Sequence, residues 1–312
     1  MKVFLVTFPF FVFDYVFSVP LSIKKVNQKN ISTLLTKTEF AILAYLWYYF
    51  AERMMSMYYD THCHLNSSQM YDLRHEFVKK ALENNVTYMN VVGYSLEGSK
   101  KAVQIAEEFE NVYAVVGIGP EDCLETTDED LKEIEALLAH PKVVAVGEIG
   151  LDYHWGTVPK EKQQMIFRQF IRMANAHQLP VVIHSRDALQ DTFNILKEEK
   201  AHGIMHCYSG STEMAKEFVK IGFKISLAGP VTFKNAKEPK RVAQEIALKD
   251  LLIETDSPYL TPHPYRGKPN DPSYVPLVAK EIAELKGIDI EEVALTTTKN
   301  AFEAFQIERN SL

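Results

Sequence analysis

The chain has 312 residues, 46% of them hydrophobic and 24% charged, and its formal net charge is −7. This composition is that of an ordinary globular protein, and the acidic charge disfavours tight, nonspecific binding to duplex nucleic acid. The three cysteines, Cys63, Cys123 and Cys207, are too few and too scattered for a disulfide framework, and they show no CxxC spacing. A reducing, cytoplasmic location is the expectation.

Residues 1–57 differ in composition from the rest of the chain. They contain no glycine and no histidine, but eight of the 18 phenylalanines. Their apolar start resembles a signal peptide or membrane anchor, yet Asp14 interrupts it and no run reaches the roughly 20 apolar residues of a spanning helix. We expect residues 1–57 to be an atypical N-terminal extension that is absent from the working protein. A membrane contact is expected only if the native protein contains this extension. The expected natural start is Met54, Met55 or Met57.

From Met57 onward, short apolar stretches alternate with amphipathic stretches. Strands are predicted in YYDTH, TYMNVVG, VYAVVGIG, KVVAVGEIG, LPVVIHS, GIMHC, FKISLAG and LLIETDS. Helices are predicted at about 71–84, through Val103 and Phe109, and at about 131–138, 163–177, 189–198, 214–221, 242–248 and 275–285, with one more at about 290–305.

The predicted strands are apolar on both faces, which is typical of a parallel sheet covered by helices. Eight strand–helix units in about 250 residues predict an α/β fold of the (β/α)₈ TIM-barrel type. This domain is expected to span residues 58–306, followed by a short tail at 307–312. A doubly wound open sheet is the alternative, although no GxGxxG motif follows any predicted strand.

Polar side chains follow the apolar runs where the strands are predicted to end. The carboxyl ends of barrel strands meet at one mouth, so these side chains are expected to converge. His62 and His64 share one face of the first strand, because side chains alternate along a strand. The other candidates are Glu148 on strand four, His184 and Arg186 on strand five, His206 on strand six and Asp256 on strand eight.

Four histidines and two carboxylates at one mouth predict a metal site. Mixed imidazole and carboxylate donors suit zinc, manganese, iron or cobalt better than magnesium, which prefers oxygen ligands. Six donors exceed the number that one tetrahedral ion uses. Two divalent ions, bridged by Glu148, are therefore expected, with their identity left open.

Six motifs resemble the TatD family of metal-dependent deoxyribonucleases, in order and at similar spacing. They are DxHxHL at 60–65, GEIGLDY at 147–153, IHSRDA at 183–188, HCYSG at 206–210, ETDSPYL at 254–260 and PHPYRGKPNDPSYV at 262–275. The resemblance implies a TIM barrel of the metal-dependent hydrolase superfamily. It also implies that six residues are the metal ligands: His62, His64, Glu148, His184, His206 and Asp256.

The chain departs from the family pattern at Gly119. The family commonly has a histidine at this point of a GxHP-type motif, whereas this chain reads VGIGPEDC. Gly119 is not one of the six implied ligands, so the metal site is expected to survive. The range of substrates or the rate is expected to differ.

Family members are described as divalent-metal nucleases, several of them 3′–5′ exonucleases, so the resemblance implies cleavage of phosphodiester bonds in DNA. A metal-activated hydroxide would attack in line, with Asp256 as general base and Glu148 between the ions. The barrel alone has a net charge of −10, so single-stranded DNA ends are the expected substrate. No stable protein partner is inferred.

Three further residues are candidate substrate contacts. Arg186 is expected to bind phosphate in a bidentate manner, or to pair with Asp152 or Asp187. Arg266 and Asn270 lie in a proline-rich loop that contacts phosphate or serves as a rigid rim.

The alternative function is hydrolysis of small esters, lactones or amides, because the same metal chemistry serves acyl transfer. A metal-dependent binding module without catalysis is the third reading.

Overall fold

In a computed structural model of the protein, residues 57–307 are described, so the predictions for the N-terminal extension and most of the C-terminal tail lie outside the described residues. Eight parallel strands alternate with helices. The strands are β1 Tyr58–Cys63, β2 Val86–Val92, β3 Val112–Val116, β4 Val143–Asp152, β5 Val181–Arg186, β6 Gly203–Met205, β7 Phe223–Leu227 and β8 Leu251–Ile253.

Nine α-helices are present in residues 57–307. They are α1 Arg74–Glu83, α2 Leu96–Glu108, α3 Asp128–Leu137, α4 Lys160–His177, α5 Leu189–Glu198, α6 Thr212–Lys220, α7 Lys237–Glu245, α8 Val275–Lys286 and α9 Ile290–Ala304. Local sequence fixes several ends: Thr127 and Asp130 form a capping box at α3, and Gly287 ends α8 in the left-handed conformation. None of these helices is both long and apolar enough to cross a membrane.

The strands are hydrogen-bonded in sequence order from β1 to β8, each parallel to the next. The segment after β8 returns to β1: Cys63 forms a parallel bridge with Ser257, and the His64 backbone nitrogen donates to the Ser257 carbonyl over 2.8 Å. The predicted TIM barrel is thereby confirmed, and the open doubly wound sheet is excluded, because its strand order is not sequential.

A cluster of buried aromatic residues fills the end of the barrel where the strands begin. Tyr59, Tyr88 and Tyr113 lie near the starts of β1, β2 and β3 and pack with Phe302 and Phe305 around the end of α9. The ring centres of Tyr59 and Phe302 are 5.6 Å apart in an edge-to-face arrangement. Such packing stabilises this end as a core and leaves the opposite end for polar side chains.

Candidate metal centre

Four side chains bring donor atoms together where β1 and β8 meet. His62 Nε2 lies 3.2 Å from His64 Nε2 and 3.4 Å from Glu148 Oε2. Asp256 Oδ1 lies 3.3 Å from His64 Nε2 and 3.8 Å from His62 Nε2. We call His62, His64, Glu148 and Asp256 the four-donor group, and each of them is less than 10% exposed.

A second set shares Glu148 with the first. Glu148 Oε1 lies 2.8 Å from His184 Nδ1 and 3.1 Å from His206 Nε2. We call Glu148, His184 and His206 the three-donor group. The two oxygens of one carboxylate therefore face the two groups. The structure brings together all six residues that were predicted from the sequence to be metal ligands.

The donor atoms have the spacing that a small divalent cation requires. Ligand bonds of about 2.0–2.1 Å in a tetrahedral zinc site place neighbouring donors about 3.3 Å apart. The separations within the four-donor group that are given above run from 3.2 to 3.8 Å. The three-donor group supplies fewer ligands from the described residues, which is the composition of a site that keeps a position for water or substrate.

Hydrogen bonds orient three of the four histidines of the metal centre. His64 Nδ1 donates to the Val92 carbonyl over 2.9 Å, which leaves the lone pair on Nε2 directed at the site. His206 Nδ1 lies 3.0 Å from Glu254 Oε1, and His184 Nε2 lies 2.9 Å from Asp152 Oδ2. Such partners orient metal-binding imidazoles and raise their basicity.

Glu254 also lies close enough to His62 and His206 to belong to a third possible set of ligands. Its Oε1 already accepts from His206 Nδ1 and, over 2.6 Å, from the Cys207 backbone nitrogen. Because this oxygen is held by two donors, Glu254 serves as a support for His206 in the arrangement seen here.

Asp60, on β1, ties this strand to the segment after β8 that carries Asp256. Its Oδ1 accepts from the backbone nitrogens of Thr255, at 2.8 Å, and His62, at 3.3 Å. Complete burial raises the pKa of Asp60 to about 8. Asp256, just after β8, has a left-handed φ of 56° and donates its backbone nitrogen to the His62 carbonyl over 2.9 Å. These bonds hold Asp256 against His64.

The site concentrates negative charge that its histidines partly neutralise. Burial would raise the pKa of Glu148, but the charge of His206 and hydrogen bonds from the surrounding histidines hold it well below its usual range. Burial lowers the pKa of His184, but hydrogen bonds to Asp152 and Glu148 outweigh this effect and raise it to about 9. The carboxylates thus favour positive charge here, which a divalent cation supplies. The residues fit a metal centre on both spacing and charge.

The metal centre opens into a cavity of about 560 Å³. Tyr94 and Tyr259 border it on the side of β2 and β8, Glu121 and Asp122 follow β3, and Arg186 ends β5. Gly119 also lines this cavity, and a Cβ atom added there would lie 3.4 Å from the nearest atom, Tyr94 Cβ. The position therefore has room for a side chain.

The three predicted substrate contacts lie in different environments. Arg186 is exposed at the cavity, its guanidinium carbon is 5.1 Å from the centre of the Trp155 ring, and no carboxylate of residues 57–307 lies within 4 Å of it. The predicted ion pairs with Asp152 and Asp187 are thus absent from the described part: Asp152 contacts His184 and Asp187 contacts His154.

Arg266 is exposed over the Phe233 ring, at 4.3 Å from its centre, and does not line the cavity. Asn270 is 1% exposed, and its amide nitrogen donates to the carbonyls of Thr255 and Tyr259 at 2.8 and 2.5 Å. A buried amide used in this way cannot reach a substrate. The predicted substrate contact of Asn270 is therefore corrected: this residue supports the loop after β8.

Sequence reasoning assigned no site role to Asp60, Asp152 or Glu254. Asp60 lies two positions before His62, Asp152 four positions after Glu148 and Glu254 two positions before Asp256. Because alternate residues of a strand share a face, this spacing is a signal that could have placed Asp60 and Asp152 beside the metal centre, whereas Glu254 and Asp256 lie just after β8.

Comparisons with known proteins agree with this geometry. The family model described as TatD related DNase matches residues 59–306. The chain is 50% identical over 254 residues to the uncharacterized metal-dependent hydrolase YabD of Bacillus subtilis strain 168, covering 80% of this chain and all of that protein. It is 38% identical to the uncharacterized metal-dependent hydrolase YcfH of Escherichia coli K12, covering 81% of this chain and 97% of that protein.

The fold has a close counterpart among solved structures. The crystal structure of YJJV, a TatD homologue from Escherichia coli K12, superimposes with a TM-score of 0.78 at 29% identity, covering 81% of this chain and all of the other. The barrel, the cluster of histidines and carboxylates and these likenesses agree. The chain belongs to the TatD family of metal-dependent hydrolases.

Proposed function

We propose that the protein hydrolyses phosphodiester bonds at the ends of single-stranded DNA, with two divalent ions at the metal centre. The observation that carries this proposal is the Glu148 carboxylate, whose two oxygens face two separate groups of nitrogen donors at the base of an open cavity. Two ions that share a ligand suit displacement at phosphorus, because each can neutralise one of the oxygens involved. The family description as a DNase supports the same substrate.

The four-donor group and the three-donor group would each hold one ion. Bound divalent ions supply a water that is nucleophilic near neutral pH and an electrophile for the phosphoryl oxygen. Glu148, which belongs to both groups, sets the position of one site relative to the other. Asp152 and Glu254 keep His184 and His206 in the required orientation.

Asp256 is the proposed general base. Burial would raise its pKa, but a hydrogen bond from His64 and the charges of His206 and His62 lower it, so the carboxylate is ionised at neutral pH. Oδ1 faces His64, and the second oxygen of the carboxylate is the proposed acceptor for a proton from the attacking water. Arg186, exposed beside the cavity with no carboxylate of residues 57–307 within 4 Å, is the proposed phosphate contact.

The acidic charge of the barrel bears on the form of the substrate. Tight duplex binding depends on many lysine and arginine contacts to phosphate, and a barrel with net charge −10 supplies them poorly. The proposal therefore limits binding to the metal centre and a few residues at the mouth, which favours strand ends. A cytoplasmic location is part of this proposal.

The test uses a single-stranded oligonucleotide labelled at its 5′ end, incubated with the purified protein and manganese, zinc or magnesium. We expect stepwise shortening from the 3′ end, abolished by a chelator and reduced about 10²- to 10⁴-fold in Asp256→Asn, the loss expected for a general base. The matched control is Asp289→Asn, an equivalent change at an exposed position before α9.

A panel of esters, lactones and amides is assayed in parallel. Metal-dependent turnover of one of these compounds with no shortening of the oligonucleotide would contradict the proposal and assign the same centre to acyl transfer.

A further inference from the structure

The exposed aromatic side chains of the described region lie on the loops at the mouth of the barrel. Of the large hydrophobic side chains exposed in residues 57–307, three are aromatic: Trp155 at 58%, Tyr259 at 46% and Tyr265 at 38%. Trp155 lies between β4 and α4, and both tyrosines lie between β8 and α8. Loops that follow strands border the active end of a TIM barrel, so the exposed aromatic surface is on the same side as the metal centre.

Two of these residues border the mouth on opposite sides. In a barrel whose eight strands are ordered from β1 to β8, β4 and β8 are four positions apart, which places Trp155 and Tyr259 across the mouth from each other. Tyr259 lines the cavity, with its ring centre 6.1 Å from that of His64. Trp155 lies over Arg186, which lines the same cavity. Trp155 itself does not line the cavity, so the two aromatic side chains lie on opposite sides of the mouth, one in contact with the cavity and the other beside Arg186.

Trp155 and Arg186 together present an aromatic face and a positive charge. The guanidinium carbon is 5.1 Å from the Trp155 ring centre, within the range of a cation–π contact. A tryptophan that is 58% exposed retains surface for a further planar group. An unpaired base beside a phosphate has this combination of a planar face and a negative charge, and proteins that bind single strands stack bases on aromatic side chains next to cations.

We propose that Trp155 and Tyr259 stack unpaired bases on the two sides of the metal centre, and so select a single-stranded end over a duplex. This inference rests on the proposed phosphodiesterase function and adds a recognition site to it. In a duplex, the faces of each base are covered by the neighbouring base pairs. Bases of a duplex could therefore stack on Trp155 and Tyr259 only after they unstack from those neighbours. Glu121 and Asp122, which follow β3, are acidic and disfavour phosphates on their side of the cavity. The side that carries Arg186 is therefore the favourable path for the phosphates.

The test separates stacking from hydrolysis. Binding of a short oligodeoxyadenylate with hydrolysis-resistant phosphorothioate linkages to the full-length, manganese-loaded protein is measured by fluorescence anisotropy. An abasic oligonucleotide with the same backbone serves as the reference, because it keeps every phosphate and lacks every base. We expect the protein to bind the oligodeoxyadenylate about tenfold more tightly than the abasic strand.

Trp155→Ala is expected to lower affinity for the oligodeoxyadenylate about tenfold and to leave affinity for the abasic strand unchanged, with partial to full rescue by Trp155→Phe. Tyr259→Ala is expected to behave in the same way. Leu295→Ala is the control, since Leu295 is 45% exposed on α9, outside the mouth loops. Trp155 is one of two tryptophans in the chain, so quenching of its emission by the oligodeoxyadenylate in a Trp47→Phe background provides a direct second reading.

Equal affinity of the protein for the two strands, or unchanged binding of the oligodeoxyadenylate by Trp155→Ala, would overturn the inference. Hydrolysis of natural single strands in that case would leave the proposed function standing. Conversely, base-dependent binding that requires Trp155, with no hydrolysis of natural strands under any metal, would support the stacking site and refute the nuclease activity.

Discussion

The two halves of the metal centre are built differently, although they share Glu148. The four-donor group is buried and tied to the barrel wall by backbone bonds between β1 and the segment after β8. The three-donor group includes His184, whose side chain is 25% exposed at the cavity, and is oriented by the carboxylates of Asp152 and Glu254. The first half is thus fixed by the fold, whereas the second is fixed by side chains, and we expect the ion of the second half to exchange more readily.

The largest expected effect is from Glu148→Gln, because this residue belongs to both halves. An amide supplies a single acceptor oxygen and no charge, so at most one group keeps an oxygen donor from this residue and both groups lose its negative charge. We expect activity to fall by at least about a hundredfold and both ions to be lost on dialysis, measured by elemental analysis of the purified protein. Retention of two tightly bound ions would show that Glu148 is not shared.

Replacing the carboxylates that orient His184 and His206 should affect the two halves of the metal centre differently. Asp152→Asn and Glu254→Gln remove the charge beside His184 and His206 and replace no residue of the four-donor group, although Glu254 also lies near His62. We expect metal affinity to fall about 10- to 100-fold in one of the two sites only. Isothermal titration of the stripped protein with manganese checks this, and equal weakening of both sites would contradict the division.

The pH dependence of metal binding should also differ between the halves. In the three-donor group, hydrogen bonds to Asp152 and Glu148 raise the pKa of His184 to about 9, and the charges of Glu148 and Glu254 raise that of His206 despite burial. In the four-donor group, burial lowers the pKa of His62, whereas the hydrogen bond to Asp256 and its charge raise that of His64 despite burial, so only one of the two histidines has a raised pKa. A histidine with a raised pKa binds a proton at pH 7, and an incoming ion must displace it.

Affinity in the three-donor site is therefore expected to rise with pH by about one log unit per pH unit for each proton displaced, and the contribution of His184 is expected to level off above about pH 9. The slope in the four-donor site is expected to be smaller. Titrations between pH 6 and pH 9, with proton release read from buffers of different ionisation enthalpy, provide the measurement. Identical slopes at both sites would refute the assignment.

The smallest effect is expected from Gly119→His, which adds a side chain beside the four-donor group without replacing a donor. The nearest neighbour of the added Cβ would be Tyr94 Cβ at 3.4 Å, so the substitution is accommodated. We expect unchanged metal content and a change of about tenfold or less in kcat/KM, since the substitution adds a side chain to the cavity wall and removes no donor of the metal centre. Loss of a bound ion in this variant would mean that Gly119 controls the metal site itself.

Much of this architecture could be predicted from sequence. Alternation of apolar and amphipathic stretches identified all eight strands, and the period of two along a strand placed His62 and His64 on one face. The contact between His184 and Asp152 could not be predicted in the same way. It depends on the register of β4 against β5, which shifts between Val146 and Ile149.

The loop after β8 shows a second limit of sequence reasoning. Arg266 and Asn270 are both polar residues in one proline-rich segment, yet one is exposed and the other is 1% exposed. The difference arises because the Asn270 amide satisfies two backbone carbonyls that the turn leaves unpaired, and composition does not reveal which carbonyls those are.

The central claim, a centre for two ions that share Glu148, is tested most directly by anomalous diffraction from crystals of the manganese-loaded protein. The account predicts two peaks, one within bonding distance of His62, His64 and Asp256 and the other within bonding distance of His184 and His206, with Glu148 between them. One peak alone at saturating manganese, or two peaks of which neither contacts Glu148, would contradict it.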